Sequence, residues 1–567
     1  MPRQKQSIPF NEHQISTQPA VDSLINRLQT EVFDFLKLDR VNREKYRYVI
    51  QVVVLNIFTA LQIDDTSVAI PLTAEHWTKN KRAGSNPKIS YTRISNTWKA
   101  LTDKDRNGNK GLGYLTLVTP SFHGELVSEV ATYKATRKLR KLFKDYKIRL
   151  ASLEVDFETF QVVRMRDVKP ERTTGQKKRP KGKLLPIGDS PPEQVWQWIE
   201  EVQEINYHYR MNHVDLYVTD EEFTAVKRSM SHKSKRLEEE EQFRQVQFHM
   251  KFAYRVFNNR KWDNGGRFYG VWWQSIPSGW RHRITINNHI TTEKDYTAIH
   301  FYILYNEAKA EYPERLVDQG FFDPYDLKGY NEQWKNQDTQ FIRKTTKLAM
   351  NIALNAETQL SAEQACRERL KGRLPKGYLN WRQFINHIRE IHKDIDFAFC
   401  SGKGIYYQYL DSKVANRVIQ IMLKQHGTPV LPVHDSFLCR VIDEDNLEKA
   451  MVQACNQELG ISIPMTIASQ PKAIKQDDGT YHPTAHRQVK EVNPELCSLY
   501  FERLQQFSDS YPADIPIIPP DFEQPLNKMK QDNSGVDSFY LNDEQKKERQ
   551  RPLKQSYSLG LRPRYLR

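Results

Sequence analysis

Two aspartates in different settings carry the chemistry open to this chain. Asp295 lies in TTEKDYTAIHF and Asp435 in GTPVLPVHDSFLCRVI. The second stretch reads as an apolar strand (Val430, Leu431, Pro432, Val433), a tight His434-Asp435 corner and a returning strand from Phe437 to Ile442. A buried hairpin has no structural need for an ionisable tip, because a desolvated carboxylate is costly unless paired or bound to metal. Set beside a second carboxylate on a neighbouring strand, it makes a site for two divalent cations, as in-line phosphoryl or nucleotidyl transfer requires. Between the two lies FIRKTTKLAMNIALNAET, where Arg343 and Lys347 are four apart and share one helix face. That spacing sets two cations over the carboxylates, where a triphosphate would lie.

Length and charge set the frame for those groups. At 567 residues the chain holds three or four domains by the prior of ~150 residues each. A net charge of +15 and a pI near 9.2 favour a polyanionic partner. No apolar run approaches the ~18 residues needed to span a membrane, so no membrane partner is expected. The segment MPRQKQSIPFNEHQ has neither a hydrophobic signal core nor the pattern of a transit peptide. Cys366, Cys400, Cys439, Cys455 and Cys497 show no paired spacing and read as reduced thiols, which places the protein in the cytoplasm. The 27 Tyr and 10 Trp suit base stacking and core packing alike.

The elements that must hold the site follow from patterning. Residues 1–40 are polar and read as a flexible N-terminus. Residues 41–150 read as a mostly helical DNA-binding module: a buried helix from Tyr46 to Leu61, short helices over 74–80 and 91–102, then a Gly-rich hairpin, NGNKGLGYLTLVTP. A winged helix and a generic helical domain fit equally; in the first, Arg93, Asn96 and Lys99 lie on the exposed face of the last helix. The basic amphipathic helix YKATRKLRKLFKDYKIR closes this module. Residues 151–191 form a strand and a Pro/Gly/Lys-rich linker. Asp156 and Glu158 in EVDFETF could open a proofreading exonuclease, though an ordinary strand with outward acids explains them better. Residues 192–257 read as a helical, thumb-like region and 258–467 as the block that holds the site. Residues 468–567 form a Pro-rich extension with a basic tail that needs no fold to meet nucleic acid.

Residues 263–440 resemble the palm and fingers of family A DNA polymerases and of the related phage-type single-subunit RNA polymerases. DNGGRFYGVWWQSIP, with Gly266, Arg267 and Gln274, is similar to the elements preceding motif A; DYTAIHF is similar to motif A, RKTTKLAMNIALNA to motif B and VHDSF to motif C. The resemblance implies an α/β fold: a right-hand palm with helical fingers near 300–390 and a thumb, beside the N-terminal module. It implies that Asp295 and Asp435 hold two Mg2+ ions, with Mn2+ as a substitute. Arg343 and Lys347 would neutralise the triphosphate, and Tyr296, His300, Asn351 and Asn355 would border the nucleotide. Gly266, Arg267, Gln274 and His434 would meet primer and template, although a surface Arg267 and a His434 that merely holds the hairpin are the plain rivals. Two departures stand out. Asn351 and Asn355 occupy the motif B face where the family has an aromatic and Tyr-Gly, and His300 replaces the glutamate beside the sugar. The implied partners are DNA template, primer and nucleoside triphosphates, in replication of a plasmid, phage or other mobile element. A compact RNA polymerase or primer-making enzyme is the alternative, and a non-catalytic DNA-binding initiator is the third reading.

Overall fold

The computed structural model describes residues 7–510 except 40–41, 64–65, most of 72–84, 105–109, 120–121, 124–127, 151–152, 171–180, 188–190, 237–245, 319–320, 331–338, 470–472, 476–480 and 484–497. Two hydrophobic cores organise the chain, one from Ile8 to Leu153 and one from Val155 to Ile463.

The helix Arg43–Gln62 is apolar on nearly every side and becomes the axis of the first core, as its pattern predicts. A helix buried all round must satisfy its polar side chains internally. Asn56 donates to the Asn11 carbonyl at 2.9 Å and accepts from its N–H at 2.7 Å, and Gln51 donates to the Ser16 carbonyl at 3.0 Å. These bonds draw the start of the chain inward. Ser7–Pro9 is a strand, and Pro19–Leu36 is a helix that buries Val21, Leu24, Ile25, Leu28 and Val32. The expected flexible segment is thus structural over those residues.

The N-terminal unit is also not a winged helix. Ser7–Pro9 pairs in parallel with Ser67–Ala69, which continues antiparallel to Thr132–Ala135 and then Leu115–Thr119. Among the described residues, the strand of the Gly-rich stretch, Leu115–Thr119, finds its ladder partner beyond residue 130. The helix Tyr91–Leu101 forms, capped by the Ser90 hydroxyl, whereas the helix expected over 74–80 falls mostly outside the described residues. Two polar side chains of Tyr91–Leu101 bond within the unit. Asn96 donates to the Tyr46 hydroxyl at 3.1 Å, the Arg93 guanidinium reaches the Lys88 carbonyl at 3.4 Å, and of the three expected contacts Lys99 alone is exposed. Asp156 and Glu158 both accept from Lys88, at 2.9 and 2.8 Å, and Asp156 also from the Tyr48 hydroxyl. They form an ion-paired corner.

Two sheets build the second core. The first runs in the order Leu184–Leu185, Val163–Arg166, Lys251–Asn258, Lys261–Val271; its last two strands turn through Asn259 and Arg260, both at positive φ. That is the backbone a two-residue hairpin needs. The second sheet is antiparallel throughout: Val214–Leu216, Ile284–Ile286, His289–Tyr296, Ser436–Arg440, Leu431–Val433, with Met465–Ser469 also paired to His289–Tyr296. The long helix Gly404–His426 packs on the first hairpin and on Glu444–Leu459, while Thr339–Asn355, Gln359–Arg369 and Trp381–Ile391 form a helical layer beside it. The chain is therefore mixed α/β with several sheets.

Residues 192–257 are not a separate helical region. The helix Glu193–Arg210 is followed by a strand of the main sheet, the helix Asp220–Arg236 and the strand Lys251–Asn258. Asn206 exchanges two hydrogen bonds with the Ala253 backbone, at 2.6 and 2.9 Å, and the Tyr209 hydroxyl donates to the Val430 carbonyl at 2.8 Å. The segment is thereby sewn into the sheet wall. After the Met465–Ser469 strand, the helix Ser498–Ser510 docks on the back of the main sheet, so the extension is ordered there; residues 511–567, with the Pro-rich run and basic tail, lie outside the described residues. Among the described residues no helix is long and apolar enough to cross a membrane.

The docked helix gives a direct check. Arg503 holds the buried Asp215 carboxylate with bonds of 2.7 and 2.8 Å, beside His213. Removing one partner of such a pair strands a buried charge, at ~3–5 kcal/mol in the measured cases. Because His213 remains, Arg503→Ala should lower unfolding stability by about 3 kcal/mol and expose residues 498–510 to protease. An unchanged urea midpoint would contradict the docking.

Candidate active site

Strand pairing brings the two aspartates together. Asp295, near the end of His289–Tyr296, is the register partner of Ser436, and Asp435 is the residue before it in the tight turn. The turn is sharp because His434 adopts φ +65°, a left-handed conformation that histidine visits more readily than most residues. Pro432 suits the strand before it, which lies at the sheet edge, where a missing N–H does no harm. Trp273 and Gln274 both donate to the Pro432 carbonyl, at 3.3 and 3.2 Å. Gln274 thus braces the hairpin through its amide Nε2.

Burial and the neighbouring Asp435 push the Asp295 carboxyl up to about 7, while Lys347 opposes the rise. Its Oδ1 is sealed from solvent without a hydrogen-bond partner among the described residues. A third carboxylate, Glu293, lies two residues earlier on the same strand face, with Oε1 accepting from Arg281 and from the Ser436 hydroxyl, each at 2.6 Å. Its Oε2 is likewise buried and unpartnered. Buried acceptors left unsatisfied are rare and call for a cation or water. Among the described residues no group of three or more side chains is arranged to ligate a metal. Mg2+ needs only one or two carboxylates when water and substrate phosphate complete its shell, so Asp295 and Asp435 fit it.

The helix Thr339–Asn355 sets its cations against this pair. Arg343 bonds Asp323 at 2.6 Å, and the Arg343 and Lys347 charges lie 5.6 and 5.5 Å from the centroid of the Tyr325 ring. Tyr325 is buried, and burial with the field of Asp435 raises its hydroxyl pKa. It supplies an aromatic beneath the cations, but from the segment before the helix and not from the motif B face. The Arg343–Asp323 pair is partly exposed, and such pairs contribute roughly 0–1 kcal/mol.

A second cluster meets at Asp411, in the helix Gly404–His426. Its carboxylate is 2% exposed. It takes the Arg267 guanidinium in a fork, with Nε at 3.0 Å, and His300 Nε2 at 2.7 Å. Burial alone would raise Asp411 and lower Arg267; their mutual pairing wins, holding the acid below and the base above their ordinary ranges. Arg267 also feels Asp435, which ties this cluster to the aspartate pair. Asp411 escaped the sequence reading.

Other expected contacts are corrected. Tyr296 points to the opposite sheet face, where its hydroxyl donates to the Met451 carbonyl at 2.6 Å. Gly266 is needed for space: it sits at φ +78°, and a Cβ there would come within 2.8 Å of Phe257 and Ser412. Asn355 folds back on the Asn351 carbonyl at 2.8 Å and abuts Gly404, leaving Asn351 alone to continue the Arg343–Lys347 face. Arg93, Asn96 and Lys99 lie on the helix Tyr91–Leu101, whose apolar side packs into the other core. His434 is exposed and meets the Tyr269 ring edge-on at 6.3 Å, with no hydrogen bond among the described residues to make it a hairpin clamp.

No protein-family model matches this chain, and no curated protein matches it.

The Asp295 geometry has a stability consequence. A carboxyl whose folded pKa is raised destabilises the fold as pH climbs from its unfolded value, near 3.8, through about 7. Without divalent cations, wild-type protein should therefore lose stability over that interval, and Asp295→Asn should melt higher than wild type at pH 8. A lower melting temperature for the variant would show that the ionised form is already compensated.

Proposed function

We propose that this protein is a template-directed nucleotidyltransferase, most simply a DNA polymerase, with a palm-like sheet carrying Asp295 and Asp435 and a fingers-like helical layer carrying Arg343 and Lys347. The observation that carries this reading is the pairing of two carboxylates across adjacent strands, one with an unsatisfied buried oxygen, under a helix face of cations. A purely structural sheet has no use for that repulsion.

In this reading Asp295 and Asp435 hold Mg2+, or Mn2+ in its place, which when bound supplies charge neutralisation for nucleotidyl transfer. Lys347 and Arg343 take the β- and γ-phosphates, Arg343 leaving Asp323 for the stronger phosphate fork. The 3′-hydroxyl of a primer, led in past His434, attacks the α-phosphorus and pyrophosphate leaves toward the basic helix. His300, held rigid by Asp411, stands beside the sugar and crowds a 2′-hydroxyl. The net charge of +15 suits a nucleic-acid template.

Extension of a labelled primer with deoxynucleotides or ribonucleotides tests the reading. Asp295→Asn or Asp435→Asn should abolish incorporation while leaving the fold and nucleic-acid affinity intact. Residual incorporation within tenfold of wild type would sink the assignment. His300→Ala should raise ribonucleotide use at least tenfold relative to deoxynucleotide use. Unchanged discrimination would remove His300 from sugar selection.

A further inference from the structure

The smaller sheet has one face that the proposed chemistry leaves unused. Its register sets Tyr254 opposite Tyr269, Val256 opposite Arg267 and Arg164 beside Val256. Side chains alternate along a strand, so Arg164, Arg166, Tyr254, Arg267 and Tyr269 share one face. Val163, Met165, Arg255, Phe257 and Phe268 fill the other, which packs into the core. The shared face makes a continuous line of rings and cations. The Arg164 guanidinium lies 3.8 Å from the Tyr254 ring centroid and 4.9 Å from that of Phe160. Tyr254 is 6.3 Å from Tyr269, which is 6.3 Å from His434, the neighbour of Asp435.

At its far end the line opens into a cavity of about 930 Å3 between the N-terminal unit and this sheet. Phe10 and His13 border it on one side, and Phe160, Arg164 and Tyr254 on the other. Neither Arg164 nor Arg166 meets a carboxylate among the described residues; each spends a donor on a backbone carbonyl, Gln161 at 2.9 Å and Gly182 at 3.0 Å. The cavity's acid, Glu12, accepts from the Asn86 N–H at 3.1 Å. Arg164 and Arg166, without a carboxylate partner among the described residues and set beside aromatic rings, suit a ligand of alternating phosphates and bases.

We propose that this face binds an unpaired nucleic-acid strand and leads it between the Asp295–Asp435 pair and the cavity. The proposal rests on the polymerase reading for where the strand ends. Bases stack on Tyr254 and Tyr269, and the Arg164 and Arg166 guanidiniums take the phosphates between them. A duplex offers these rings no open base faces, because its bases are already stacked on one another.

Anisotropy of a labelled oligothymidylate, with a blunt duplex of equal length as comparison, tests the surface without catalysis. Arg164→Gln with Arg166→Gln should weaken single-strand binding at least tenfold and flatten the log-log salt dependence by about 1.4, since each neutralised phosphate on a single strand contributes ~0.7. Duplex binding should change less than twofold. Asp295→Asn should bind the single strand as wild type does, so a catalytic failure and a failure of the strand surface separate cleanly. Unchanged single-strand affinity, or an equal loss for duplex, overturns the proposal. Should the double variant misfold, photocrosslinking of an iododeoxyuridine oligonucleotide to wild type decides: adducts at Tyr254 or Tyr269 support the surface, and adducts elsewhere alone overturn it.

Discussion

Like charges forced together inside a sheet are the constraint to which the rest of the molecule answers. Antiparallel pairing of His289–Tyr296 with Ser436–Arg440 puts Asp295 and Asp435 at neighbouring positions, with Glu293 behind them. Burial raises the proton affinity of Asp295 and the second carboxylate raises it further. At neutral pH the pair therefore holds a proton or waits for a cation. Arg281 and Ser436 quiet Glu293, and Lys347 reaches toward Asp295 without neutralising it. Asp295 Oδ1 and Glu293 Oε2 are thereby left buried without a hydrogen-bond partner among the described residues.

Rigidity around that charge comes from buried polar ties. Gly266 lets the hairpin approach the long helix closely enough for Arg255, fully buried, to bond both the Gly266 carbonyl at 2.7 Å and the Ser412 hydroxyl at 3.2 Å. The preceding residue on the same helix, Asp411, fixes Arg267 and His300 together. Trp273 and Gln274 hold the edge strand that leads into the His434-Asp435 turn. Each tie joins an element from a different part of the chain, so the site exists only when the whole second core is assembled.

How much of this was legible in the sequence depended on whether a residue announced its chemistry locally. Asp295 and Asp435 did, because a carboxylate beside apolar strands has few bland explanations. The basic helix did too, through the four-residue spacing of Arg343 and Lys347. Asp411 did not: in YYQYLDSKVANR it looks like any polar helical position, and its meaning lies in partners 111 and 144 residues away. Tyr325 was hidden in irregular chain. Tyr296 was readable and misassigned, since strand alternation puts it on the face opposite Asp295. The Pro19–Leu36 helix carried its apolar spacing openly, from Val21 through Leu24, Ile25 and Leu28 to Val32, and the polar residues between them masked it. Asn96 bonds the Tyr46 hydroxyl, 50 residues away and outside any helical pattern, while Arg93 bonds the nearby Lys88 carbonyl.

Electron paramagnetic resonance of Mn2+ added to the protein with primed template and a non-hydrolysable nucleotide examines the aspartate pair itself. Wild type should remove Mn2+ from the free signal at stoichiometric levels, and Asp295→Asn and Asp435→Asn should each abolish that binding. Equal Mn2+ binding by wild type and both variants would mean that the carboxylates meet for some reason other than holding a cation, and the account would fail at its centre.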